Sequence, residues 1–322
     1  MAWRLAWTWK WTRMLMIGLA GGGFLLVAAG AGPAGAQGGA TDAVQRELLG
    51  LVNRERAAAG APPLRLSAAL SRAAQRHAAE IARRGSLRPE RGEQGAMDDR
   101  LKEEAYDAHE WAESMAAISG GPAAVLPFLK QRDAGSFGKL VDPRYRDLGI
   151  GLASLGGAPL YVLLAAEPES AAFARETADL VDPARVRSAI LAEVNATRRR
   201  AGLAPLAGDP RLDRAAQQHA EDMLARSYFD HRSPEGSTVR ERTRAAGYAW
   251  SAVGENIAEG QRSVEEAVES WRRSRTHREN LLGHDYVHLG TGLALGRDGR
   301  SGEYRVIWVQ VYARPQGMAR RP

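Results

Sequence analysis

No cysteine occurs among the 322 residues, which excludes disulfides, thiolate metal sites and a cysteine nucleophile together. A chain without disulfides must hold itself by packing, and 44% hydrophobic with 25% charged residues is enough for two domains of ordinary size. Excess charge is modest. The formal net charge is +6, no basic cluster with interleaved aromatics accompanies it, and nucleic acid is therefore not an expected partner. Two hydrolase signatures are missing as well. There is no helical His-Glu-x-x-His, and His231 and Glu235 fill the positions flanking Ser233 where a nucleophile elbow needs glycine.

The N-terminal segment differs from everything after it. Arg4, Lys10 and Arg13 precede an apolar run from Met14 to Ala29, and small residues follow at Ala34-Gly35-Ala36. This order reads as a secretory signal over residues 1–36. The run is about 16 residues, broken by Gly18 and Gly21 to Gly23, whereas a bilayer span needs about 20. Membrane attachment is the alternative if the segment is retained, with Trp3, Trp7, Trp9 and Trp11 at the interface. Removing it takes three positive charges from +6 and leaves +3.

Self-similarity organises the remainder. Val52 to Leu70 matches Val194 to Leu212 at an offset of 142, and the same offset carries Arg72–Ala78 onto Arg214–Ala220 and Glu113 onto Glu255. Asp147–Ala153 matches His288–Ala294 at 141. A period this long is a duplicated domain. The copies are placed at 41–168 and 185–314, with the boundary in the charged stretch between Glu167 and Asp182 that carries Pro168.

In the second copy, Pro183 opens a helix with Val186, Ile190 and Val194 at helical spacing, and Gly202 ends it. A second helix from about Pro210 to Ser227 puts His219 on its apolar stripe with Leu212, Ala216 and Met223. Ser233-Pro234-Glu235-Gly236 is a turn, and a short helix runs on to Gly247. Ser263 and Glu266 make a capping box. Leu289, Thr291, Leu293 and Leu295 alternate as one strand face, Gly296–Gly299 is the hairpin turn, and Tyr304 to Ala313 reads as a central strand. Helices followed by strands indicate an α+β fold with an antiparallel sheet.

Several pieces then occur in a recognisable order: Tyr228-Phe229-Asp230-His231, Gly254-Glu255-Asn256-Ile257-Ala258, Trp271 leading to His277-Arg278-Glu279-Asn280, Gly290-Thr291-Gly292, and Trp308-Val309-Gln310-Val311-Tyr312. With them the second half resembles the CAP superfamily (cysteine-rich secretory proteins, antigen 5, pathogenesis-related proteins; the SCP domain) in a bacterial, cysteine-free form. The first half resembles a degenerate copy. The resemblance implies an α/β/α sandwich with a cleft where relatives gather His and Glu. Carried over to this chain, the cleft residues are His219, His231, Glu255 and His277. A divalent ion such as Zn would be held by His231, Glu255 and His277. The chain departs from the eukaryotic pattern at Ser274, where a second Glu often stands, and near Trp308, where a strand His often stands.

Each of these residues also has a plainer reading. His219 on an apolar stripe equally fits a hydrogen-bonded core residue, as His77 does in the first copy, and Glu255 equally fits a buried acceptor. His231 and His277 are the sharper candidates, because the first copy has Pro89 and Gly135 near their places. Trp271, Tyr228, Phe229 and Trp308 read as core, Asn280 as a residue satisfying backbone near a turn. Arg198–Arg200 and Arg272-Arg273 read as solvated helix faces, or as a basic rim for anionic cell-envelope polymers. The leading functional expectation is a secreted, periplasmic or envelope-associated module that binds a small molecule, lipid, envelope component or metal without catalysis. The alternatives are a metal-assisted or His-based hydrolase, with Ser274 or Ser233 as nucleophile, and a structural or adhesion protein.

Overall fold

The computed structural model describes residues 34–88 and 93–318. The expected signal segment lies outside these residues except for its last three, and so does Pro89. The described residues from Val44 onward form one compact unit. Of the other unit, residues 1–43, the described part is the start of a helix.

The first copy comprises α1 (Ala34–Ala58), β1 (Arg65–Leu66), α2 (Ala68–Arg84), α3 (Glu93–Glu103), β2 (Ala108–Ala117), α4 (Val125–Arg132), α5 (Ala134–Leu140), β3 (Asp147–Leu155) and β4 (Ala158–Pro168). A connecting helix α6 (Glu169–Glu176) follows. The second copy repeats the order as α7 (Pro183–Arg200), β5 (Ala207–Gly208), α8 (Pro210–Ala225), α9 (Val239–Ala245), β6 (Trp250–Glu259), α10 (Val264–Arg273), α11 (Arg275–Leu281), β7 (His288–Arg297) and β8 (Tyr304–Pro315). The two four-stranded sheets have the orders β1-β3-β4-β2 and β5-β7-β8-β6. The expected antiparallel pairing holds for β6, β7 and β8, but the two-residue edge strand β5 pairs parallel to β7.

Strand β8 shows why the sheet sits in the middle. Val306, Trp308 and Tyr312 pack with α7 and α10 on one face, while Ile307, Val309 and Val311 pack with α8 on the other. Alternation of side chains therefore turns an almost continuous apolar run into two cores, an α/β/α sandwich. Gly290 and Gly292 let α8 approach: a Cβ on Gly290 would stand 2.2 Å from the carbonyl carbon of Leu212, and one on Gly292 2.3 Å from that of Ala216. Gly149 and Gly151 do the same beneath α2, at 2.3 Å from Leu70 and 2.2 Å from Ala74. The repeated Gly-x-Gly is thus a packing requirement of helix on strand.

Helix ends follow the sequence closely. Asp182 caps α7 by accepting from Ala184 N (2.9 Å), with Pro183 in the first turn. Ser263 accepts from Glu266 N (3.1 Å), but Glu266 reaches back to Arg262 N rather than to Ser263, so only half of the expected capping box forms there. A complete one, Thr238 with Glu241, opens α9.

Other readings are corrected. Arg198 is no solvated residue: it is buried, donating from Nε to Ala204 O (2.9 Å) and from Nη1 to Leu281 O (2.9 Å) and Gly283 O (3.0 Å). Arg56 does the same in the first copy, to Pro62, Leu140 and Asp142. A guanidinium can satisfy several carbonyls at once where a loop leaves them without partners. Phe229 is exposed, because the chain turns at Ser227 with φ 58° and runs outward; Trp271 and Trp308 are core as expected. The hairpin loop is Asp298–Glu303, longer than Gly296–Gly299, and is organised by Asp298, which accepts from Arg300 N and Ser301 N. The charged boundary stretch is folded: Phe173 of α6 and Leu180 join the second copy's core, and Glu167 is buried against Arg175 at 3.0 Å.

Candidate functional site

The site grows from β6. Odd-numbered residues Val253, Glu255 and Ile257 point toward α8, so Glu255 is carried into the sandwich, where its side chain is only 2% exposed. A buried carboxylate needs partners for both oxygens. His231 Nδ1 donates to Oε1 at 2.9 Å, and Arg242 Nη2 donates to Oε2 at 2.7 Å. Arg242 also donates to the His231 carbonyl (3.1 Å) and to Ser237 O (2.8 Å), which ties the loop to α9. The bond to Glu255 raises the His231 pKa above its ordinary value, and burial opposes it. His231 is itself 56% exposed at the side chain, which leaves the far edge of the ring facing water.

His219 lies behind this pair. Its side chain is fully buried, its Nε2 donates to Asp230 O at 3.0 Å, and it stands 4.0 Å from Glu255 Oε1. Burial holds its pKa below the ordinary value, so the ring is neutral. Tyr228 Oη donates to Asp222 and lies 3.4 Å from His219 Nδ1. His219 therefore anchors the loop carrying His231 and matches its expected reading as a hydrogen-bonded core residue.

His277 belongs to α11, which packs on the other face of β6 with Leu281 and Trp271 in the opposite core. Neighbouring strand residues point to opposite faces, so Asn256, not Glu255, meets this helix. Asn256 Nδ2 donates to His277 O (3.1 Å), and Asn280 Nδ2 donates to Asn256 Oδ1 (2.8 Å) and Glu255 O (3.0 Å). Gln310 and Tyr312 continue the network inward: Tyr312 Oη donates to Gln310 Oε1 at 2.6 Å. The role of Asn280 is as expected, though its backbone partner is a strand. His277 feels His231 electrostatically, and burial first, then His231, lowers its pKa.

The sequence-derived set thus divides. His231 and Glu255 meet directly, His219 supports them from the core, and His277 approaches without joining. Among the described residues, no three His, Asp or Glu side chains gather as a metal shell. Both Glu255 oxygens and His231 Nδ1 are committed to one another or to Arg242, a fixed cation. Of the residues expected to hold a divalent ion, Glu255 thus has both oxygens occupied, while His231 keeps its Nε2 edge open to water. Among the described residues neither serine hydrogen-bonds a histidine: Ser233 Oγ accepts from Ser237 N (3.1 Å), and Ser274 Oγ lies by Thr276 Oγ1 (3.3 Å). Arg242 was not singled out from sequence. It shares an i, i+3, i+4 stripe with Val239, Thr243 and Ala246, and Thr243 is fully buried, a pattern that marks it off from Arg240 and Arg244.

The first copy supplies an internal comparison. His77 Nδ1 pairs with Glu113 Oε1 directly at 2.6 Å, and Arg100, which aligns with Arg242, turns instead to Glu80. No second histidine aligns with His231, whose place in the first copy is taken by Pro89.

Two segments, residues 49–164 and 191–312, match the family model described as cysteine-rich secretory protein family, CAP. The chain belongs to this family. The two matches coincide with the tandem repeat. Over 118 residues the chain is 36% identical to the uncharacterized protein YkwD of Bacillus subtilis (strain 168), which covers 37% of this chain and 43% of that protein. Over 104 residues it is 38% identical to the uncharacterized membrane protein YlbC of the same organism, covering 32% and 30%. The chain thus spans less than half the length of either relative. Among solved structures, an extracellular SCP-domain protein of Bacillus anthracis str. Ames shows a TM-score of 0.37 at 23% identity, covering 49% of this chain and 53% of that one. An outer surface protein of Borrelia burgdorferi shows 0.37 at 19% identity, covering 42% and 97%.

Proposed function

We propose that this CAP protein is exported and that its second copy is a non-enzymatic binding module whose contact group is the His231 imidazolium. One observation carries the reading: a buried carboxylate clamped by Arg242 pairs with one edge of the His231 ring, which raises the ring's pKa, and leaves its other edge in water. Such a group donates a charge-assisted hydrogen bond to an anionic or strongly accepting ligand atom. Export rests on the basic-apolar-small order of residues 1–36; among the described residues no helix is long and apolar enough to cross a membrane. Catalysis is the weaker alternative, since a carboxylate-held imidazole suits a general base but neither candidate serine touches it.

The test is a side-chain NMR titration of His231 with acetate and inorganic phosphate at a pH below its raised pKa. A saturable shift is expected for the native protein and its weakening in Glu255→Gln, which removes the largest influence raising the His231 pKa. No response to either anion in the native protein overturns the proposal. Turnover of an ester or amide that disappears in His231→Ala would install the hydrolase reading instead. Addition of Zn is expected to leave the melting temperature unchanged; a shift abolished by His231→Ala with His277→Ala would restore the metal.

A further inference from the structure

Away from His231, the C-terminal ends of α7 and α10 and the outer side of α11 enclose an open hollow of about 610 Å³. Thr197, Arg200, Arg272, Arg273 and Arg278 line it, with Glu269 as its one acid. Four guanidinium groups against one carboxylate give a local charge of +3. Glu269 serves both Arg272 (2.6 Å) and Arg273 (2.7 Å), and among the described residues Arg200 donates to the Thr197 hydroxyl (3.2 Å). Arg272 Nε is buried with no acceptor among the described residues.

The duplication shows that the fold does not require this charge. Arg198 and Arg56 hold equivalent carbonyls, which fixes the alignment of α7 on α1 and sets Thr197 on Glu55 and Arg200 on Ala58. Buried Trp271 on buried Leu129 sets Arg272 on Lys130, and Leu281 on Leu140 sets Arg278 on Phe137. In the first copy Glu55 neutralises Lys130 at 2.7 Å, and Lys130 lies 5.0 Å from the Phe137 ring centre. One copy keeps a neutral pair over an aromatic ring; the other has no acid at Glu55's place and gathers arginines.

We infer that this hollow of the second copy binds a linear polymer bearing a phosphate at each repeat. Guanidinium forks match phosphate oxygens two at a time, and several in a row reward a ligand with repeated charges. No aromatic ring lines the hollow, so stacked bases have no platform, and Leu282 is its one large apolar side chain, too little to seat a membrane.

Binding of the full chain to a synthetic poly(glycerol phosphate) oligomer tests this, measured against salt, with polyglutamate of equal length and phosphatidylglycerol vesicles alongside. The oligomer is expected to bind most tightly. Arg272→Gln with Arg278→Gln is expected to weaken binding about tenfold at low ionic strength and to flatten the logarithmic salt slope by roughly one to two. Thr197→Glu, which puts a carboxylate where the first copy has Glu55, should weaken it similarly. Both variants should melt like the native protein and leave the His231 titration untouched, which separates this surface from the site proposed above. Equal binding by native protein and both variants overturns the inference, as does tighter binding to polyglutamate or to vesicles.

Discussion

Glu255 shows how one residue type acquires a role that sequence spacing does not state. Its carboxylate is buried, so it must be paired, and Arg242 and His231 divide its two oxygens. Glu255→Gln leaves the Arg242 guanidinium, 11% exposed, without its counter-charge, and should cost about 3 kcal/mol in denaturant unfolding. The same change should bring the His231 pKa down, read by side-chain NMR. The signs of the pH dependence follow from three imidazole rings. His231 has a folded pKa above its ordinary value, so its contribution is complete below about 6.5 and fades as pH rises through the folded value. His219 and His277 have folded pKa values below the ordinary one, so their contribution is present above about 6.5 and falls as the pH drops toward those values. Thermal melts across this range should show losses on both sides, and His231→Ala should remove only the alkaline one. His231 stood out in the sequence because the first copy has Pro89 at its place, whereas Glu113 at the place of Glu255 fitted a buried acceptor. Arg242 did not stand out, since an arginine in an arginine-rich helix signals burial only when its neighbours' burial is known.

Helices and strands were largely legible, because periodicity and caps are local. Asp182, Pro183 and Gly202 bound α7 where expected, and the central strand is β8. What periodicity cannot disclose is how close two elements come. Gly290 and Gly292 carry no apolar signal, yet they set the distance between α8 and β7, and Ala at Gly290 would press a methyl group into the Leu212 backbone, which cannot yield like a side-chain tip. Gly290→Ala should therefore cost at least about 2 kcal/mol in urea unfolding. Gly299→Ala, where the nearest atom lies 3.8 Å away, should cost little. His277 illustrates the same limit from the other direction: it follows Trp271 at the spacing the family resemblance requires, but α11 lies on the face of β6 opposite Glu255.

Over the whole molecule, duplication was plain in sequence, whereas the union of the copies was not. The connecting stretch looked like a charged boundary. In the fold Phe173 stacks on Tyr304 with ring centres 4.6 Å apart, Arg262 pairs with Glu176, and Arg297 donates to Asp107 at 2.7 Å. These contacts tie the connecting helix, and at Arg297 the first copy itself, to the second copy, so calorimetry should record a single unfolding transition. Phe173→Ala should destabilise the protein by about 3 kcal/mol and split that transition into two.

Composition, periodicity and the repeat by themselves determined the absence of disulfides, the α+β class, the tandem arrangement and most element ends, because each depends on neighbours within a few turns of chain or on self-comparison. The tertiary structure alone decided which histidine faces water, which arginine answers Glu255, that Arg198 is core while Arg200 is surface, and that the arginines of three helices share one hollow. Those outcomes depend on which face of a strand or helix meets another element from far along the chain, and a residue's identity carries no record of that meeting.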